Sequence, residues 1–276
     1  MSPSPLFRLS RRAALPLLAA LPLAFAATGA RAASPITPAG NARPARARPF
    51  PDCFEARAFT RAGATLPYRL LSPEKIENAK KYPLVIFLHG VGERGTDNAA
   101  QVRNGIERLG TPALRKKFPC YAIVPQCPPH SFWGIAPERS RAAPDALNLV
   151  LNLVDETLRT TPTADRRRVY VAGLSMGGIG TFRLLEARPR FFAAALPICG
   201  TGNAERAKSY ASTPVWIFHG EKDTVVRPDG SKRIAAALKA AGCKVKFSLV
   251  PDVGHNVWVN ALGDDKTWEW LFAQHR

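Results

Sequence analysis

The chain has 276 residues, of which 46% are hydrophobic and 22% are charged, and its formal net charge at pH 7 is +18. This length and apolar content suit one α/β domain with a large core. The Lys and Arg residues are scattered and form neither a basic helix face nor an aromatic-bearing strand pair, so nucleic-acid binding is not expected.

Residues 1–32 have the pattern of an export signal. Three arginines precede an apolar stretch of 15 residues, Ala13 to Ala27, and Ala30-Arg31-Ala32 forms a small-residue cleavage site. A membrane-spanning helix needs roughly 20 apolar residues, so this stretch is too short to serve as one. We therefore expect an exported protein, periplasmic or extracellular, without a stable membrane anchor after signal cleavage. The Arg11-Arg12 pair leaves both the general and the twin-arginine export routes open.

The next segment, residues 33–51, is rich in Pro, Ala and Arg and has no apolar period. Such a composition predicts a flexible basic linker, which leaves residues 52–276 as the folded domain. From residue 52 onward, apolar strand patterns alternate with helical patterns. The strands are predicted at Phe54–Thr60, Thr65–Leu71, Leu84–His89, Tyr121–Pro125, Arg168–Leu174, Ala194–Cys199, Pro214–His219 and Lys244–Val250.

Helices are predicted between these strands. They cover Asp97–Leu109, a segment whose apolar face runs from Leu147 to Leu158, Met176–Arg188, Ser231–Ala241 and Asp264–Ala273. Repeated alternation of strand and helix implies an α/β fold with a mostly parallel sheet and helices on both faces. In such sheets, ligands and catalytic groups gather at the carboxyl ends of the strands.

Five cysteines are present, an odd number without a C-x-x-C pair. Export permits disulfides, but Cys120 and Cys127 bracket a predicted strand. An extended segment of that length separates their Cα atoms by roughly 20 Å, and a disulfide allows about 7 Å at most. A bridge between these two cysteines is therefore excluded. No Cys/His spacing indicates a zinc site, and we expect neither a metal nor a cofactor.

The strongest candidate for a catalytic residue is Ser175. It lies in Gly173-Leu174-Ser175-Met176-Gly177, a G-x-S-x-G pentapeptide between a buried strand pattern and a helix pattern. The pentapeptide alone is common by chance, but this position predicts a nucleophile elbow, a sharp turn that lifts the Ser hydroxyl out of the sheet. An ordinary Gly-rich turn with an exposed serine is the alternative.

A serine nucleophile needs a base, and the base needs an orienting acid. The chain order of this fold is Ser, acid, His, and of the histidines only His255 and His275 follow a candidate acid. His275 is the penultimate residue, where fraying is the default, so His255 is the predicted base. Asp223, in the loop after strand Pro214–His219, is the predicted acid; Asp252 and Asp229 are the other candidates.

The tetrahedral oxyanion formed by attack on an acyl group needs two backbone N–H donors. Met176 follows the nucleophile and begins a helix, whose dipole also favours negative charge. The second donor is expected in the Gly-rich loop after strand Leu84–His89, with Val91 as the first choice and Gly92 as the second.

Five sequence blocks together resemble the α/β-hydrolase superfamily. The similarity is to its secreted esterase and "predicted peptidase" group, which includes polyhydroxybutyrate depolymerase-like, feruloyl and acetylxylan esterases. The resemblance implies the α/β-hydrolase fold with an eight-stranded sheet, a triad of Ser175, Asp223 and His255, and oxyanion donors at Val91 and Met176. The blocks are His89-Gly90-Val91-Gly92-Glu93-Arg94-Gly95-Thr96-Asp97-Asn98, Pro125-Gln126-Cys127-Pro128, Gly173–Gly178, His219–Val226 and Gly254-His255-Asn256.

Three aromatic residues are candidates for substrate contact. Phe132 and Trp133 follow a strand's carboxyl end and could wall an acyl or sugar subsite, or instead pack their loop onto the body of the protein. Trp258, three residues after His255, has the same two interpretations.

These observations predict a secreted serine hydrolase that cleaves carboxylic esters through an acyl-enzyme, acting on a small-molecule or polysaccharide-linked ester. A serine peptidase of the same fold, cleaving small peptides, is the nearest alternative. A non-catalytic binding protein on a hydrolase fold is the other, because a fold does not guarantee an activity. The acyl group, the leaving group and the oligomeric state are left open.

Overall fold

The computed structural model describes residues 53–134 and 146–276. The predicted export signal at residues 1–32 and linker at 33–51 lie outside the described residues, as does part of the loop after Pro128. None of the helices in the two described ranges is long and apolar enough to cross a membrane.

The described residues contain one eight-stranded sheet, in the order β1-β2-β4-β3-β5-β6-β7-β8. The strands β1 and β2 are antiparallel to each other, β2 is antiparallel to β4, and every other neighbouring pair is parallel. The strands are β1 (Phe54–Arg61), β2 (Ala64–Leu71), β3 (Tyr82–Leu88), β4 (Tyr121–Pro125), β5 (Ala164–Leu174), β6 (Ala194–Ile198), β7 (Val215–Gly220) and β8 (Val245–Val250).

All eight predicted strands are confirmed, and so is the mostly parallel sheet. The largest difference in their bounds is at β5, which begins at Ala164 rather than Arg168. After the buried Ala164, the residues at 165–168 are polar and at least partly exposed, so they lack the apolar pattern from which a strand is predicted.

Six α-helices occur within the described ranges. They are α1 (Pro112–Lys117), α2 (Ala146–Thr160), α3 (Met176–Ala187), α4 (Asp229–Ala240), α5 (Trp258–Gly263) and α6 (Asp265–Phe272). The first of the six, α1, and the short α5 were not predicted. Side chains of α2, α3 and α4 pack in one apolar cluster, and side chains of α1, α5 and α6 pack in a second.

The central strand β3 shows how the sheet separates these two clusters. Leu84 and Ile86 point into the first cluster, whereas Val85 and Phe87 point into the second, and all four are inaccessible to solvent. Alternate side chains of a strand face opposite sides of its sheet, so a strand covered by helices on both sides must be apolar throughout. The predicted placement of helices on both faces is confirmed.

The prediction of a helix over Asp97–Leu109 is wrong. This segment forms turns followed by a 3-10 helix, Ile106–Gly110. The buried residues Val102, Ile106 and Leu109 have the spacing of one face of a helix. However, Asn104 and Gly105 both have positive φ, a conformation that interrupts an α-helix. Asp97 caps a turn rather than a long helix, because its Oδ1 accepts from the N–H groups of the residues two and three positions ahead.

The excluded disulfide is absent, as the predicted strand requires. Cys120 and Cys127 flank β4, both are buried, and neither is part of a disulfide. Burial raises the pKa of each thiol to about 12, so both remain protonated at neutral pH.

Candidate active site

The turn between β5 and α3 holds Ser175 in an unusual backbone conformation. Its φ is 53° and its ψ is −116°, outside the regions that non-glycine residues ordinarily adopt. The Ser175 N–H donates to the carbonyl of Ile198 at 2.9 Å, and its own carbonyl accepts from the N–H of Ile179 at 3.1 Å. Contacts on both sides of the residue therefore maintain a conformation that would otherwise be unfavourable.

Only glycine fits at the two glycine positions of the pentapeptide, because neighbouring backbone leaves no room for a Cβ atom. A Cβ on Gly173 would lie 2.4 Å from the carbonyl oxygen of Gly177, and a Cβ on Gly177 would lie 1.9 Å from that of Leu88. Both distances are far below van der Waals contact, so strand β3, strand β5 and helix α3 meet this closely only without side chains at these positions. The backbone has the sharp strand-to-helix turn expected of a nucleophile elbow.

The structure brings the three predicted triad residues together from three separate loops. Ser175 follows β5, Asp223 follows β7 and His255 follows β8, all at the carboxyl edge of the sheet. The Oγ of Ser175 lies 2.9 Å from Nε2 of His255, and Nδ1 of His255 lies 2.7 Å from Oδ2 of Asp223. This geometry allows the imidazole to accept the serine proton while the carboxylate orients the ring.

Hydrogen bonds prepare the Asp223 carboxylate for this role. Burial acts to raise its pKa, but hydrogen bonds from His255 and from the N–H groups of Val226 and Val225 outweigh it, so the pKa lies below the ordinary value. Oδ1 accepts both N–H groups at 2.9 Å. The carboxyl group is therefore ionised at neutral pH and can stabilise an imidazolium.

The other candidate acids lie elsewhere. Asp252 is exposed and pairs with Lys222 at 2.6 Å. Asp229 begins α4, where it lies 3.8 Å from Lys232. Neither forms a hydrogen bond with His255 among the described residues, so the geometry favours Asp223.

The two predicted oxyanion donors belong to the two segments next to Ser175, the start of α3 and the turn after β3. Met176 is the first residue of α3, where an N–H has no acceptor within the helix. Val91 begins a 3-10 turn three residues after the end of β3, and the residue before it lies beside the nucleophile: a Cβ on Gly90 would lie 3.7 Å from the Cβ of Ser175. The second choice, Gly92, lies in the same turn.

His89 supports this loop, a role that the sequence did not suggest. Burial lowers the pKa of His89 to about 4, so the ring is neutral at pH 7. Its Nε2 accepts from the N–H of Cys127 at 2.9 Å, and its Nδ1 donates to the carbonyl of Gly90 at 2.6 Å. The carbonyl of Gly90 and the N–H of Val91 belong to one planar peptide group, so the ring fixes the peptide that carries the candidate donor. In the sequence, His89 ends a buried strand pattern and begins one of the five blocks of the family resemblance, but neither position distinguishes a supporting residue from an ordinary core residue.

The three aromatic candidates have different surroundings. Trp133 is 0% exposed and donates from its indole N–H to the carbonyl of His89 at 2.9 Å. Its packing interpretation is therefore correct, and a substrate wall at this position is wrong, because the ring fills the core. Phe132 is half-buried beneath the guanidinium of Arg94, 4.7 Å from the ring centre. Trp258 is half-buried, with its ring centre 5.6 Å from that of His255.

Comparison with known proteins places the chain among hydrolases. Residues 137–263 match the profile of the Dienelactone hydrolase family. A probable carboxylesterase from Oryza sativa subsp. japonica is 26% identical over 214 residues, which cover 68% of this chain and 87% of that protein. An acyl-protein thioesterase 1 from Neurospora crassa is 23% identical over 219 residues, which cover 67% of this chain and 84% of that protein.

Solved structures of other hydrolases share the fold described above. A thermostable esterase is 35% identical and superposes with a TM-score of 0.77, covering 82% of this chain and 64% of its own. An acylaminoacyl peptidase from Pyrococcus horikoshii, 19% identical, superposes with a TM-score of 0.61 and covers 75% of this chain and 39% of its own. The chain thus spans less than two thirds of either structure, and the second likeness concerns the fold alone.

Proposed function

The chain belongs to the α/β-hydrolase superfamily and is a hydrolase; we propose that it cleaves carboxylic esters through an acyl-enzyme formed on Ser175. The observation that carries this proposal is the hydrogen-bonded series from Ser175 Oγ through His255 to Asp223, with distances of 2.9 and 2.7 Å. The likeness to a thermostable esterase at 35% identity supports ester bonds as the target.

The mechanism follows from the order of the three hydrogen-bonded groups, Ser175, His255 and Asp223. His255 accepts the proton of Ser175 as Oγ attacks the ester carbonyl, and Asp223 stabilises the imidazolium that results. The N–H groups of Val91 and Met176 stabilise the oxyanion. His255 then donates its proton to the departing alcohol, which leaves Ser175 acylated. In the second half of the reaction, His255 activates a water molecule that releases the acid and restores Ser175.

The nearest alternative is cleavage of peptide bonds by the same three residues. An amide has a poorer leaving group, whose departure depends on protonation, and peptidases usually add a shaped binding region for the peptide. Activity on p-nitrophenyl acyl esters and on aminoacyl p-nitroanilides should be compared with the purified protein. Ester turnover should exceed anilide turnover by orders of magnitude, and faster anilide cleavage would overturn the ester assignment.

A non-catalytic binding role is tested with a fluorophosphonate probe. The probe should label Ser175 in the folded protein and should fail to label it after heat denaturation. Absence of labelling in folded protein would favour the binding role. Esters from acetate to decanoate, with feruloyl esters and acetylated xylan beside them, would define the substrate as a small-molecule or a polysaccharide-linked ester.

The proposed location is outside the cytoplasm, in the periplasm or the medium. The arginines, apolar stretch and A-x-A site of residues 1–32 support export. Expression of the full chain should yield a processed protein that begins near Ala33 in the exported fraction, as measured by N-terminal sequencing. Full-length protein confined to the cytoplasm would contradict this location.

A further inference from the structure

A second histidine contacts the candidate acid. His219 lies in β7, four residues before Asp223, and is completely buried. Its Nε2 lies 2.7 Å from the carbonyl oxygen of Val226 and 3.2 Å from Oδ2 of Asp223. Because both neighbours on this side of the ring are acceptors, Nε2 carries a proton and donates it to them.

Ser231 holds the opposite side of this ring. Its Oγ lies 2.7 Å from Nδ1 of His219 and 2.6 Å from the carbonyl oxygen of Gly200, and Ser231 itself is completely buried near the start of α4. The ring of His219 is therefore fixed between helix α4 and the loop of the acid. A buried polar contact of this kind restricts both partners to one geometry.

These contacts meet at the oxygen that the triad uses. Oδ2 of Asp223 accepts from Nδ1 of His255 and also from Nε2 of His219. Val226 is held twice, because its N–H donates to Oδ1 of Asp223 and its carbonyl accepts from His219. Rotation of the carboxylate away from His255 would therefore also break its contacts with His219 and Val226.

We propose that His219 and Ser231 are positioning residues that hold the Asp223 carboxylate toward His255. Neither side chain touches the reacting atoms, and both act through Asp223. This inference rests on the proposed function, since it assigns their role within the same ester hydrolysis.

The first test is Ser231→Ala, which removes one hydroxyl from the network. We expect kcat on p-nitrophenyl acetate to fall about tenfold, because small displacements of a catalytic group reduce its efficiency strongly, while KM changes less than about twofold. Ser209→Ala is the matched control: Ser209 is exposed, and within residues 53–134 and 146–276 its hydroxyl donates to the carbonyl of Arg206 alone. A kcat for Ser231→Ala equal to that of this control would overturn the proposal.

The second test compares two replacements of His219 of similar size. His219→Gln retains an N–H donor near the position of Nε2, whereas His219→Leu retains none. We expect the Gln variant to keep at least about tenfold more kcat than the Leu variant. Equal loss in two variants that both fold, judged by their circular dichroism, would show that only packing matters at this position. If the Leu variant does not fold, Ser231→Thr, which keeps a hydroxyl, replaces it as the comparison with Ser231→Ala.

A double-mutant cycle separates positioning from general destabilisation. In an Asp223→Asn background, the residue that Ser231 acts through is already impaired, so adding Ser231→Ala should change kcat by less than about twofold. A further tenfold loss would mean that Ser231 acts independently of Asp223 and would overturn the proposal. Retained turnover in Ser175→Ala, measured in parallel, would instead overturn the proposed function itself.

Discussion

At the scale of single residues, Ser175 combines a strained backbone with a hydroxyl that is hydrogen-bonded to the candidate base, His255. Its positive φ is maintained by hydrogen bonds to the end of β6 and into α3. Strained residues of this kind persist where the surrounding structure determines them, and they concentrate at active sites. Among the described residues, the hydroxyl forms a hydrogen bond with Nε2 of His255 alone, so its removal should disturb chemistry far more than packing.

Ser175→Ala should therefore abolish ester turnover while leaving the melting temperature nearly unchanged. Loss of the nucleophile removes the covalent route, and rate reductions of about 10⁶-fold are typical of such variants. Steady-state assays with p-nitrophenyl acetate and thermal unfolding followed by circular dichroism measure the two quantities. Substantial remaining turnover would assign the nucleophile to another residue.

The lowered pKa of His89 predicts how the free energy of unfolding depends on pH. Its folded-state pKa of about 4 lies below the ordinary value of 6.5, because burial disfavours the charged ring. The unfolded chain therefore binds this proton at a higher pH than the folded chain does. The stability contributed by this group is full above pH 6.5 and decreases as the pH falls toward 4, by about 3 kcal/mol in total.

Urea unfolding at several pH values between 7 and 4 tests this expectation. His89→Gln should be less stable at pH 7, because it disturbs the buried contacts, but its free energy of unfolding should fall less steeply with decreasing pH. Carboxylates contribute equally to both slopes, so the difference between the two proteins isolates the histidine. Parallel slopes would contradict the assignment of His89 as a buried neutral ring.

At the scale of elements, the junction of β3, β5 and α3 leaves no room for a side chain. Gly177→Ala should destabilise the protein by about 3 kcal/mol or more and remove most activity, because its Cβ would overlap the carbonyl oxygen of Leu88. Gly263→Ala is the matched control, since a Cβ there meets nothing within 4 Å. Urea unfolding and kcat of both variants provide the measurement; equal stability would mean that the turn can open.

Some elements could be predicted from sequence and others could not. All seven residues of strand β3 are buried, and its short, continuous apolar run predicts a strand covered on both faces. Residues 97–109 carry an equally suggestive apolar period, yet Asn104 and Gly105 turn the chain, and the buried side chains reach the core from an irregular path. Periodicity shows which residues are buried, but the backbone path between them depends on the packing of neighbouring elements.

At the scale of the whole molecule, all candidate site residues lie between Val91 and Trp258. A chain of residues 52–276 should keep kcat/KM for p-nitrophenyl acetate within about twofold of the value for the processed protein, because no proposed catalytic contact comes from residues 33–51. Side-by-side assays of the two proteins measure this. A decrease in kcat/KM of more than about tenfold would show that the segment before residue 52 contributes to catalysis.

The sequence alone determined the strands, the mostly parallel sheet and the three residues expected to form a triad. These features are local patterns or follow from chain order, so they can be predicted without distances. Only the tertiary structure decided that Trp133 belongs to the core, that His89 supports the loop of Val91, and that His219 contacts Asp223. Such contacts join residues from different elements, and their existence depends on how the sheet and helices pack rather than on spacing along the chain.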